Sequence, residues 1–142
     1  MTRLSAFAAP LLLTALSAST ALAGPSEDLA KSRISSIASG DLATVTGAYG
    51  PGAALHWIGG PLDGSYAAPG AIKQVWSKFF AAQGDQKAAI SATSEAANPK
   101  GATVTADVTF SGKNTVKVRY VLVYRAGKLV DEIWQVNPAA TY

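Results

Sequence analysis

Residues 53–83 read AALHWIGGPLDGSYAAPGAIKQVWSKFFAAQ. Leu55 to Ile58 is a short apolar run that carries the single histidine of the chain, His56. Gly59 to Gly64, GGPLDG, is a turn cluster with several positions able to take positive φ. From Pro69 the period changes. Ile72, Val75, Trp76, Phe79 and Phe80 fall at i, i+3, i+4, i+7 and i+8, which predicts an amphipathic helix whose stripe is a core face. Pro69 suits the first helical position, where its missing N–H costs nothing, and Gly84 stops the helix. Lys73 and Lys78 lie off the stripe. A helix with one apolar face needs a surface to cover.

The chain after Gly84 supplies one, because its period becomes two. Lys87 to Glu95 reads as a weak strand. Ala102–Ser111, Thr115–Arg125 and Leu129–Val136 read as three longer ones, joined by turns short enough for hairpins. Upstream, Ser26-Glu27-Asp28 opens a helix with acids in its first turn, and Leu29, Ile34, Ile37 and Ala38 form its apolar face. Asp41 caps a second short helix, Leu42 to about Ala48, with Val45, Ala48 and Tyr49 on its inner side. Gly50-Pro51-Gly52 breaks it. Helices first and an antiparallel meander afterwards argue an α+β fold with the helices on one face of a curved sheet.

Pairing Ser111 with Thr115 aligns Phe110–Val116, Val108–Val118, Ala106–Tyr120 and Val104–Leu122 on one apolar face. It places Asp107 opposite Arg119 on the other face, as a surface pair. A slip of one residue would mix the two faces, so this register is favoured. Val121 and Val123 then share the outer face with Arg119, and two exposed valines there suggest a homodimer contact. In the last strand, Leu129, Asp131, Ile133 and Gln135 alternate with Val130, Glu132, Trp134 and Val136. Either inward face carries an acid unless a bulge intervenes. The second face is more apolar, so Glu132 and Trp134 are expected inside. A local rule strained in this way often marks function.

Residues 1–23 read as a secretory signal peptide: a positive start at Arg3, an uncharged Leu/Ala core and an A-x-A site at Ala21-Leu22-Ala23. Its apolar core is shorter than the ~20 residues of a spanning helix and is broken by Pro10. Cleavage would leave one domain, residues 24–142, in the periplasm or outside the cell, with no membrane attachment. The full chain has 142 residues and a net charge of +3, with no cysteine. Its basic residues are scattered, so nucleic acid is not an expected partner. Without cysteine and with one histidine, disulfides, thiol catalysis and Cys- or His-rich metal sites are excluded. No cofactor fingerprint is present.

The order of these elements resembles the nuclear transport factor two-like superfamily, particularly its SnoaL-like branch. The resemblance rests on a strand ending WIGG, the D-G-S-Y turn, the helix with Gly70, Ile72, Trp76, Phe79 and Phe80, and a meander closing on Gly127, Lys128, Leu129 and Trp134. It implies a cone-shaped α+β barrel with a pocket between the long helix and the inner sheet face. It also implies frequent dimers through the outer face. The superfamily spans polyketide cyclases, ketosteroid isomerases, dehydratases and non-catalytic binding or association domains. Function therefore has to be argued from the site.

The candidate pocket walls are Tyr49, Trp57, Trp76, Phe80, Tyr120 and Trp134. His56 is the leading candidate by residue type, able to relay a proton near neutral pH or fix a ligand carbonyl. Tyr66 follows the turn, and a phenol there suits an oxyanion contact. Asp63 lies in a D-G context that any turn would use. Glu132 meeting His56 or Tyr66 would make an acid/base constellation. Three readings follow. The first is an exported SnoaL-like protein binding a small, largely apolar ligand. The second is a cofactor-independent isomerase, dehydratase or cyclase using His56, Tyr66 and Glu132. The third is a homodimeric interaction module.

Overall fold

The structure, a computed structural model, describes residues 24–142; the expected signal peptide lies outside the described residues. The elements run α1 (Pro25–Ala38), α2 (Leu42–Gly47), β1 (Tyr49–Ile58), β2 (Gly64–Tyr66), α3 (Pro69–Gln83), β3 (Lys87–Asn98), β4 (Gly101–Ser111), β5 (Thr115–Arg125) and β6 (Lys128–Val136). Six strands form one open sheet in the order β2-β1-β6-β5-β4-β3, with the helices on its inner face. No described helix is long and apolar enough to cross a membrane.

The helices form where the sequence places them. Asp41 caps α2 by accepting from the Thr44 amide at 3.1 Å. In α3, Ile72, Val75, Trp76 and Phe79 are buried, and Gly84 ends the helix at φ 60°. Gln83, one turn beyond Phe79, is buried as well. Its side-chain amide donates to the Asn114 carbonyl at 3.0 Å and accepts from the Asn114 amide at 3.3 Å, tying the end of α3 to the β4–β5 turn. In α1 the buried residues are Ala30, Arg33, Ile34 and Ile37, whereas Leu29 is 41% exposed. The inner stripe of α1 is thus rotated from the expected one, and it carries an arginine.

The β4–β5 ladder has the expected register, from Ser111↔Thr115 through Asp107↔Arg119 to Val104↔Leu122. Val104, Ala106, Val108, Phe110, Val118, Tyr120 and Leu122 are fully buried. Asp107 and Arg119 form the surface pair. Two features depart from a simple meander. The short strand expected at Leu55–Ile58 begins at Tyr49, so Tyr49 belongs to a strand and not to the second helix. The Gly50-Pro51-Gly52 break is absorbed as an irregularity in the ladder, with Gly52 at φ 71°. That strand runs parallel to β6, so the sheet is mixed and not wholly antiparallel.

The last strand resolves its strain with a bulge. Tyr124 pairs with Leu129 while Val123 pairs with Asp131, which leaves Val130 as the extra residue. Leu129, Glu132 and Trp134 can then all point inward, each with no exposed surface. Asp131 remains on the outer face.

Candidate functional site

Glu132 is the only buried acid among the described residues, and four donors reach it. Arg33 Nε lies 3.1 Å from Oε2 and Arg33 Nη2 lies 3.2 Å from Oε1. The Tyr120 hydroxyl donates to Oε2 and the Tyr49 hydroxyl to Oε1. Arg33 also donates to the Tyr120 oxygen at 2.7 Å, to the Tyr49 oxygen at 2.8 Å and to the Val45 carbonyl at 2.8 Å. Trp76 Nε1–H donates to the Tyr49 oxygen at 2.7 Å. The guanidinium lies 4.7 Å from the Tyr49 ring centre and 5.5 Å from that of Trp76.

The electrostatics keep Arg33 charged and the Tyr49 and Tyr120 hydroxyls protonated. Burial opposes the charge of Arg33, but the Glu132 carboxylate, with the Tyr120 and Tyr49 phenols, outweighs it and raises the guanidinium well above its usual value. Burial pushes the Tyr120 hydroxyl well above the ordinary phenol range. Burial, then the Glu132 charge, does the same for Tyr49. Both phenols therefore keep their protons and donate them to the carboxylate. A carboxylate offers about four lone-pair sites, and here four hydrogen bonds fill them. The arrangement holds α1, β1, β5 and β6 together, and it leaves Glu132 no free lone pair for proton abstraction.

His56 lies on the other side of the sheet. In β1 the alternation buries Leu55 and Trp57 and turns His56 and Ile58 outward. His56 Nδ1 is 3.0 Å from Ser65 Oγ on β2, and Nε2 is 3.2 Å from Asp131 Oδ1 on β6, a contact without hydrogen-bond alignment. Tyr66 donates its hydroxyl proton to the Leu62 carbonyl at 2.8 Å, fastening its own turn. Asp63 accepts from the Gly59 amide at 2.7 Å in the same turn. His56, Tyr66 and Glu132 thus have separate partners and do not meet. The acid/base constellation drawn from the sequence is not assembled.

The aromatic residues expected to wall a pocket largely fill it. Trp76, Tyr120 and Trp134 are fully buried. Trp134 stacks on Trp57 at 4.8 Å and on Phe110 at 5.1 Å, and meets Trp76 edge-on at 5.2 Å. Phe80 is half-buried, its ring 6.0 Å from that of Trp76. Open space remains outside this plug. A cleft of about 580 Å³ lies between the second half of α3 and the strand ends, lined by Trp57, the Gly59–Leu62 turn, Lys78, Phe79, Ala82, Gln83, Asn114, Val116 and Val136. A second, of about 520 Å³, lies at the start of α3 and touches Tyr49. Of the six expected wall residues, Trp57 and Tyr49 line these clefts. Among the described residues no group of three or more acids and histidines is placed to hold a metal ion.

Arg33 is the site residue that sequence reasoning missed. The available signal was its spacing: Ala30, Arg33, Ile34 and Ile37 follow i, i+3, i+4 and i+7. A charge inside such a stripe demands a buried counter-charge.

No protein-family model matches this sequence, and no curated protein matches it significantly. Solved structures match over most of its length. A candidate calcium/calmodulin dependent protein kinase II association domain from Xanthomonas campestris has a TM-score of 0.65 at 19% identity, covering 82% of this chain and 91% of its own. An NTF2-like protein from Pseudomonas putida KT2440 has a TM-score of 0.65 at 13% identity, with 76% and 81% covered. A candidate polyketide cyclase from Sinorhizobium meliloti has a TM-score of 0.55 at 16% identity, with 76% and 94% covered. The chain has the NTF2-like fold, the one its sequence resembles.

Proposed function

We propose that this chain is a SnoaL-like binding protein that takes a small, largely apolar molecule in the cleft beside the second half of α3. The lining carries the reading: Trp57, Leu62, Phe79, Val116 and Val136 present apolar surface around about 580 Å³. That volume falls in the range of small-molecule sites, roughly 300–1,000 Å³. The ligand sits at the mouth of the cone, above the aromatic plug, and not within it. With Glu132 saturated and His56 on the outer face, proton-transfer catalysis has no equipped base inside the cone, and binding is the better supported role. The predicted leader supports binding in the periplasm or outside the cell.

The test is a thermal-shift screen of small apolar compounds, followed by titration of the hits against Leu62→Asp. A charge on the cleft wall lowers affinity at least roughly tenfold if the ligand sits there. Hits that bind the variant as well as the parent, or a screen without hits, would sink the proposal.

A second reading, self-association through the outer sheet face, rests on one observation. Val121 pairs with Ile133 across β5 and β6, and Ile133 is 36% exposed. Sedimentation of the parent against Val121→Asp tests it: a dimer that dissociates in the variant supports it, and a monomeric parent removes it.

A further inference from the structure

The cleft that the proposed function uses has an uneven charge. Its lining holds one ionisable side chain, Lys78, and no acid. Lys78 and Ala82 stand one turn apart on α3 and both line the cleft, and Lys78 is exposed. Among the described residues the Lys78 side chain makes no ion pair and donates no hydrogen bond; the ion pairs lie at Lys31–Glu27, Arg33–Glu132 and Arg119–Asp107. The acid in the adjoining turn, Asp63, is directed to the Gly59 amide. The other polar lining groups are amides. Gln83 is committed to Gln86 and to the Asn114 backbone, which leaves the Asn114 side chain.

Resting on the cleft being the ligand site, we infer that its ligand is an apolar monocarboxylate, with Lys78 holding the carboxylate and the Trp57, Phe79, Val136 surface covering the body. An ammonium beside low-dielectric walls favours one negative charge at one end of the ligand. Lys78 is exposed, so with a neutral ligand its ammonium stays with water and adds nothing to binding. A cationic one would be repelled by it. At about 580 Å³ the cleft is mid-range among small-molecule sites, roughly 300–1,000 Å³, with room for a bicyclic body.

The experiment uses three probes with one body: 2-naphthoate, 2-naphthylmethanol and 2-naphthylmethylammonium, titrated by calorimetry into the protein and into Lys78→Met and Leu62→Asp. Lys78→Met keeps most of the stem and removes the charge. Naphthoate should bind roughly tenfold more tightly than the alcohol, and the ammonium more weakly than both. Lys78→Met should bring naphthoate down to the alcohol and leave the alcohol unchanged. Raising salt should weaken naphthoate alone. If acid and alcohol bind equally, or Lys78→Met leaves naphthoate unchanged, the carboxylate assignment is overturned while the cleft stands. If none of the three binds, or Leu62→Asp weakens none of them, the cleft itself is wrong and the assignment falls with it.

Discussion

Arg33 on the first helix and Glu132 on the last strand face each other with no solvent between them, their atoms 3.1 and 3.2 Å apart across 99 positions of sequence. Among the described residues the carboxylate has no other charged partner, and neither does the guanidinium. Removing one member leaves the other as an unpaired buried charge. Glu132→Leu is therefore expected to destabilise the protein by about 3–5 kcal/mol. The double variant Arg33→Met/Glu132→Leu should recover most of that loss. Urea unfolding of both single variants and the double measures the coupling, and a double variant no better than Glu132→Leu would show that the phenols and not the charges hold the cluster.

Tyr124 gives the alkaline limit of stability. Burial pushes its hydroxyl up to about 12, against about 10 in an unfolded chain. The folded state thus holds a proton that the unfolded state releases between those values. The corresponding stability is present in full below pH 10 and is lost as pH rises toward 12, about 1–3 kcal/mol in all. Tyr49 and Tyr120, also raised, extend the loss beyond pH 12. The Tyr124 hydroxyl has no hydrogen-bond partner in the protein, so Tyr124→Phe should be neutral or stabilising by up to about 1 kcal/mol at pH 7. It should also flatten the decline between pH 10 and 12. A marked loss of melting temperature at neutral pH would contradict this.

The β5–β6 turn carries an avoidable cost. Ala126 and Gly127 have φ of 48° and 73°, the two left-handed positions of a tight hairpin. Ala is a poor choice for the first of them, where Asn is preferred. Ala126→Asn should raise stability by roughly 0.5–1 kcal/mol, a shift of a few degrees in melting temperature for a domain of this size. Calorimetry decides it. A lower melting temperature would mean that the turn geometry differs.

His56 is expected to be silent in binding. Its ring lies on the outer face between Ser65 and Asp131. His56→Ala should leave the affinity of any cleft ligand unchanged and cost under ~1 kcal/mol of stability, as half-exposed surface contacts do. Loss of ligand affinity in this variant would return His56 to the site.

Most of the fold was legible because alternation is unforgiving. One register of β4 and β5 keeps Phe110, Val108, Ala106 and Val104 on the side of Val118, Tyr120 and Leu122, and that register forms. The inward position of Glu132 was legible for the same reason, through Trp134 two residues on. Alternation also separated His56 from Trp57, but it could not say which of the two faced the core. Arg33 was not legible because an arginine in an apolar stripe can also turn its head group to water. Its burial depends on a carboxylate from the far end of the chain. The parallel pairing of β1 with β6 was hidden likewise, since nothing local in either segment names its neighbour. The filling of the cone follows from ring volumes meeting across five elements, which one-dimensional spacing does not record.

The position of β6 sets a timetable. The sixth strand in chain order lies in the middle of the sheet, between β1 and β5. Until it arrives, β1 and β2 have no strand partner in the β3–β5 meander, and Arg33 lacks the Glu132 carboxylate. A chain emerging from the ribosome therefore gains little by folding early. Its order comes late and nearly at once, when β6 closes a long loop against β1. A version cut before Lys128 should not be a weakened form of this protein but an unfolded one.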